Sequence, residues 1–163
     1  MSQIEPYGYP CIRLTVRADI WTTLIAGSTT STAAVRQPVN NSPVTSPTAS
    51  NYNCNTHGAA SATVSVAAGS TVGFKLDNTV YHLGPAAIYL GKVPSGSTAA
   101  SWNGSGASWF KIAEWGATYP GGTSSAMSFA DYNAGSLTTT LPKSVPSGDV
   151  RFLSFPPAFL APC

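Results

Sequence analysis

The stretch ATVSVAAGSTVGFKL, from Ala62 to Leu76, decides the fold class. In both halves of it, apolar side chains alternate with polar or small ones, and Ala-Ala-Gly-Ser separates the halves. Alternation with period two is typical of a half-buried β-strand. The stretch therefore predicts two strands, Ala62–Val66 and Thr71–Leu76, joined by a tight turn.

Further strands are predicted on both sides of this stretch, and those that follow it are bounded by Gly, Pro or Ser. No segment has the spacing of an amphipathic helix. The sequence thus predicts an all-β, immunoglobulin-like or fibronectin III-like antiparallel β-sandwich with long loops at Gly27–Asn55 and Pro94–Ser108. The additional predicted strands are Ile20–Ile25, Ala86–Val93, Trp109–Trp115 and Leu137–Leu141.

Length and composition exclude several classes of function. A chain of 163 residues suits one domain. Only 9% of residues are charged and the net charge of +2 is scattered, so no basic stripe predicts nucleic-acid binding. No run approaches the ~20 apolar residues of a membrane helix, and residues 1–10 do not resemble a signal peptide. Cys11, Cys54 and Cys163 allow one disulfide and leave one thiol, and which two pair is open.

The two histidines are the first candidates for metal or acid–base chemistry. His82 lies in TVYHLGP, where an apolar segment meets a Gly-Pro turn, so its imidazole is expected at the rim of the sandwich. It is either a metal ligand or a histidine hydrogen-bonded at a strand end. His57 lies in a polar loop and is expected to be a bystander.

Other arrangements of chemical groups are less well supported. A zinc or type 1 copper site made of side chains alone needs more closely spaced His and Cys ligands than this chain has. Glycoside hydrolysis needs two carboxylates flanking the bond. No pair stands out, and Glu114 is expected on a solvated strand face. The acids are Glu5, Asp19, Asp77, Glu114, Asp131 and Asp149. Five aromatic residues could pack in the core or stack on sugar rings: Trp102, Trp109, Trp115, Tyr119 and Tyr132.

Six segments, taken in order, resemble one known family. They are Val35–Val44, Asn53–Asn55, Ala62–Leu76, Val80–Pro85, Trp109–Ile112 and Leu141–Asp149. Together they are similar to the fungal lytic polysaccharide monooxygenases of auxiliary activity family 9, formerly glycoside hydrolase family 61. The resemblance implies one domain over residues 19–149, preceded by a non-family segment at 1–18 and followed by another at 150–163.

The resemblance also implies a chemistry. Members are secreted, monomeric β-sandwich enzymes that cleave β-1,4-glucan such as cellulose at C1 or C4, using one copper ion and an external electron donor. Their copper lies in a brace formed by an N-terminal histidine and one internal histidine, and His82 matches the internal one. The family's N-terminal histidine and axial tyrosine have no counterpart here. His82 is therefore the one metal ligand that the resemblance assigns.

The departures at both ends predict a chain that is truncated relative to the family. Removal of Met1 exposes a serine, and the residues after Asp149 lose the resemblance. Impaired activity follows as an expectation. The alternatives are a non-catalytic polysaccharide-binding sandwich and an inactive fragment.

Overall fold

The computed structural model describes residues 19–38, 59–102, 104–106, 109–122 and 126–155, where nine strands and no helix are found. The strands are β1 (Trp21–Ala26), β2 (Thr29–Ser31), β3 (Thr71–Leu76), β4 (Ala86–Lys92), β5 (Trp109–Trp115), β6 (Ala117–Thr118), β7 (Ser128–Phe129), β8 (Ser136–Thr140) and β9 (Val150–Phe155). None of the described residues forms a helix long and apolar enough to cross a membrane.

One sheet has four strands in the order β2-β1-β3-β8, all antiparallel to their neighbours. β1 and β2 form a hairpin whose turn contains Gly27 at φ 62°, a left-handed conformation that costs glycine little. β2 lies within the stretch 27–55 that the sequence predicted as one long loop. That prediction is wrong at the hairpin, because three consecutive polar residues give no alternation to detect.

The second sheet has three antiparallel strands in the order β5-β4-β9. A small ribbon of β6 and β7 follows β5 in the chain. β9 pairs with β4 from Ala87↔Phe155 to Lys92↔Val150. The domain boundary predicted after Asp149 therefore precedes a strand of this sheet, and the assignment of residues 150–163 to a non-family segment stays a prediction.

The core lies between the two sheets. Leu24, Phe74 and Leu137 from the four-stranded sheet form one buried cluster with Ala86 and Ile88 from β4. A smaller cluster joins Val72, Leu90 and Leu141. Apolar side chains from two facing sheets are what a β-sandwich requires. The predicted fold class is confirmed, as are the strands over Ile20–Ile25, Thr71–Leu76, Ala86–Val93, Trp109–Trp115 and Leu137–Leu141, within a residue at their ends.

The strand predicted at Ala62–Val66 is wrong. β3 is already hydrogen-bonded to β1 on one side and β8 on the other, so neither of its edges can accept a further strand. The segment instead has no strand pairing, while Val64 and Val66 pack against the core. The alternating pattern thus indicates that every second side chain is partly buried, and in this segment that burial occurs without strand pairing.

Candidate metal-ligand site around His82

The segment between β3 and β4 carries His82 and is fixed by the turn that precedes β8. Val80 is fully buried. Its N–H donates to the carbonyl of Ala134 at 2.9 Å, and its carbonyl accepts from the N–H of Asn133 at 2.8 Å. Asn133 has φ 65°, a left-handed conformation that asparagine tolerates better than most residues. These two bonds hold the backbone next to His82.

Asp19, just before β1, holds the histidine itself. The Asp19 side chain has no exposed surface, whereas that of His82 is 22% exposed. Carboxylate oxygen Oδ1 accepts from the backbone N–H of Tyr81 at 3.2 Å, and Oδ2 lies 3.1 Å from Nδ1 of His82. One buried carboxylate therefore holds both the backbone of Tyr81 and the imidazole of the next residue, His82.

This contact determines which ring nitrogen of His82 is free for chemistry. An ionised carboxylate can only accept hydrogen bonds, so Nδ1 carries the hydrogen that points to Asp19. In a neutral imidazole, Nε2 then keeps its lone pair. A ring held by a carboxylate through one nitrogen is the usual arrangement of a metal-bound histidine. The geometry suits His82 for the predicted ligand role, which stays a prediction.

Three exposed aromatic or apolar side chains lie on the segment of His82 or on the segment beside it. The ring of Tyr81 contacts the imidazole with 4.2 Å between centroids. Tyr81, Leu83 and Tyr132 are 41%, 61% and 42% exposed, although single exposed apolar residues are common on proteins. Tyr132 precedes Asn133, whose N–H bonds to Val80, so the two segments lie side by side.

His82 alone does not make a metal centre. Among the described residues, no group of three or more His, Cys, Asp or Glu side chains is arranged to hold a metal ion. Residues 1–18, His57, Cys11, Cys54 and Cys163 lie outside the described part of the chain, so the predictions that concern them are not tested. The described residues therefore fit one metal donor and do not complete a set.

A second buried carboxylate lies near Asp19. Asp131 is fully buried, and neither of its oxygens bonds to another described residue. Burial raises the pKa of Asp131, its own backbone N–H acts in the opposite direction, and the negative charge of Asp19 raises it further. A raised folded-state pKa means that the protonated form is favoured by folding.

Asp131→Asn is expected to make stability less dependent on pH. Because the pKa of Asp131 is raised on folding, its favourable contribution is complete below the unfolded value of ~3.9 and is lost as pH rises through the folded value. The free energy of unfolding of the variant, relative to that of wild type, should therefore increase with pH between these two values, by about 1.4 kcal/mol per pH unit. Urea unfolding between about pH 3.5 and 7, in steps of ~0.5 pH units, measures it. A difference that does not change with pH would contradict the assignment.

The other predicted acids and aromatics separate by burial. Glu114 is exposed and pairs with Lys111 on β5, which confirms the solvated-face interpretation.

The aromatic candidates differ in burial. Trp102 is buried and stacks on Trp109 with 5.1 Å between ring centroids. Trp115 packs against the core. Of the five aromatic candidates, only Tyr119 and Tyr132 are among the exposed large apolar residues.

The sequence did not single out Asp19 as a partner of His82. The two residues are separated by 63 positions, and an aspartate next to a strand is unremarkable by itself. The one available signal was that Asp19 lies just before the apolar run of β1. In the structure β1 pairs with β3, and β3 leads into the segment that carries His82. Without the sheet order, that signal names no partner.

Comparisons with a family model and with curated proteins point to the same family. The model of Auxiliary Activity family 9 (formerly GH61) matches residues 15–150. The AA9 family lytic polysaccharide monooxygenase H of Malbranchea cinnamomea is 43% identical over 120 residues, which cover 71% of this chain and 51% of that protein. Monooxygenase E of Podospora anserina is 44% identical over 119 residues, covering 71% and 37%. The chain thus spans about half the length, or less, of these relatives.

A solved structure shows the same fold. The crystal structure of a cellulose-active polysaccharide monooxygenase from M. thermophila superposes with a TM-score of 0.65. The match covers 83% of this chain and 68% of that one at 21% sequence identity. At that identity the likeness supports the β-sandwich and no residue assignment.

Proposed function

The chain belongs to Auxiliary Activity family 9, and from this premise we propose that it is a secreted, copper-dependent lytic polysaccharide monooxygenase, with His82 as a copper ligand through Nε2. Its proposed substrate is a β-1,4-glucan such as cellulose, cleaved oxidatively at C1 or C4 with electrons from an external donor. It is proposed to act as a monomer.

The observation that carries the proposal is the contact between His82 Nδ1 and the buried carboxylate of Asp19 at 3.1 Å. It fixes the tautomer in which Nε2 can bind a metal, and the N–H of Tyr81 fixes the carboxylate in turn. Imidazole is a suitable ligand for copper. Asp19 thus orients the ring and holds the proton on Nδ1. A copper centre needs donors beyond this one, and no chemical step through the metal follows from His82 alone.

Copper titration of histidine variants tests the ligand assignment. His82→Ala should remove the imidazole coupling from the Cu(II) electron paramagnetic resonance spectrum and weaken binding by about 100-fold or more, since losing the ligand should cost at least what losing an outer-shell partner does. His57→Ala is the matched control, because it removes the only other histidine. Equal copper spectra for His82→Ala and the parent chain would overturn the assignment. Oxidised oligosaccharides from cellulose with a reductant present would establish the activity separately.

A non-catalytic polysaccharide-binding protein is the second candidate. The exposed side chains of Tyr81, Leu83 and Tyr132 favour it, because aromatic and apolar surfaces stack on sugar rings and need no metal. Retention on cellulose without oxidised products, in the presence of copper and reductant, would favour this function over the first. Release of oxidised products would exclude it.

A further inference from the structure

A pocket of about 160 Å³ is lined by residues of both sheets. Leu24 and Phe74 line it from the four-stranded sheet, and Val150–Phe152 line it from β9. The segment Ala60–Val64, which has no strand pairing, also lines the pocket. None of the residues that hold His82 contributes to this lining.

Two arginines line this pocket, and neither forms an ion pair with a described carboxylate. Arg151 is 9% exposed, and its Nε donates to the carbonyl of Ala99 at 2.6 Å. Its Nη1 is buried and has no hydrogen-bond partner among the described residues. Arg36 is partly buried. A buried cation in a protein is ordinarily paired, and no described residue supplies an anion to Arg151.

The two guanidinium groups also act on each other. Burial, followed by the charge of Arg36, lowers the pKa of Arg151 to about 10. Burial lowers the pKa of Arg36 as well. A guanidinium group stays charged in proteins, so the two positive charges at the pocket repel each other. An anion placed between them would relieve both the repulsion and the loss of hydration.

The acids in the described part of the chain do not form ion pairs with these two arginines. Asp19 holds His82, Glu114 pairs with Lys111, and Asp149 accepts from the backbone N–H of Ala99. None of the five acids in the described part of the chain lines the pocket. Of the six acids in the sequence, only Glu5 lies outside the described residues.

We propose that the pocket between Arg36 and Arg151 binds a tetrahedral oxyanion, either free phosphate or the phosphate group of a small sugar. Guanidinium groups present planar pairs of N–H donors that match the oxygens of such a group. Thr63 also lines the pocket and can add a hydroxyl donor, whereas the hydroxyl of Ser61 already donates to the carbonyl of Ala33. A pocket of about 160 Å³ has room for a five-atom ion. The proposal is independent of copper.

Thermal unfolding and calorimetric titration of the full chain with inorganic phosphate test the proposal. Phosphate should raise Tm saturably, by on the order of 5 °C at 100 times Kd, relative to chloride at equal ionic strength. Glucose 6-phosphate in a parallel titration identifies the source: tighter binding than phosphate indicates a sugar-borne group, and weaker binding indicates the free ion.

Charge-removing variants localise the effect. Arg36→Gln and Arg151→Gln should each weaken phosphate binding at least tenfold. Lys75→Gln removes an exposed cation from β3, outside the pocket, and should leave it unchanged. Arg36 is less buried than Arg151, so Arg36→Gln keeps the test valid if Arg151→Gln fails to fold. The proposal would be overturned if Tm in phosphate equalled Tm in chloride at the same ionic strength, or if Lys75→Gln weakened phosphate binding as much as the arginine variants do.

Discussion

Gly73→Ala should lower the free energy of unfolding by about 3 kcal/mol or more, the upper range for forcing an added methyl group into a packed interior. A Cβ at position 73 would lie 2.1 Å from the carbonyl oxygen of Leu137 and 2.7 Å from Cα of Thr138. Both atoms belong to the backbone of β8, so no side-chain rotation can relieve the overlap. β3 is also paired with β1 through Ile25. The strand therefore cannot shift without breaking pairing on one side.

Chemical denaturation followed by circular dichroism measures this effect, with Gly116→Ala as the matched control. A Cβ at Gly116 meets no atom within 4 Å, so that variant should stay within about 0.5 kcal/mol of the parent chain. For a domain of this size, the Gly73→Ala change corresponds to a fall in Tm on the order of 10 °C. Equal midpoints for the two alanine variants would mean that β3 and β8 are not paired as described.

Asp19→Asn is expected to weaken copper binding at His82 by about 10- to 100-fold while the fold is retained. The amide oxygen can still accept from the N–H of Tyr81, but the amide nitrogen now donates toward Nδ1 of the imidazole. The ring must then carry its proton on Nε2, the nitrogen proposed to bind the metal. Asp19 is thus a positioning residue whose effect passes through the tautomer of His82.

One measurement and one control variant separate this effect from a loss of structure. Nitrogen-15 NMR of the metal-free protein should show the proton of His82 moving from Nδ1 to Nε2 in Asp19→Asn. The exposed Asp77, whose backbone N–H bonds to Ile20, gives the control variant Asp77→Asn, which should change neither the tautomer nor the copper affinity. If Asp19→Asn keeps both at their parent values, the carboxylate does not determine the state of the ring.

Local pattern was enough to predict most of the sheet strands. β3 lies where an alternating run follows Gly69 and Ser70, and β4, β5 and β8 lie where apolar or alternating runs stop at or next to Gly or Pro. Such runs indicate which side chains are buried, and so they predict the strands. The same rule failed at Ala62–Val66, where half-burial arises without pairing. β9 was not predicted, since the resemblance to the family is lost after Asp149, although Val150–Phe155 pairs along β4.

The sequence by itself determined the β-sandwich class, membership of Auxiliary Activity family 9, and His82 as the candidate ligand, because these depend on local order and on short motifs. Only the tertiary structure decided what surrounds those residues. It brings Asp19 to the imidazole of His82 across 63 positions, and it brings Arg36 and Arg151 to one pocket. The physical reason is that sheet order and sheet packing create contacts between distant residues, whereas periodicity records only which face of a segment is buried.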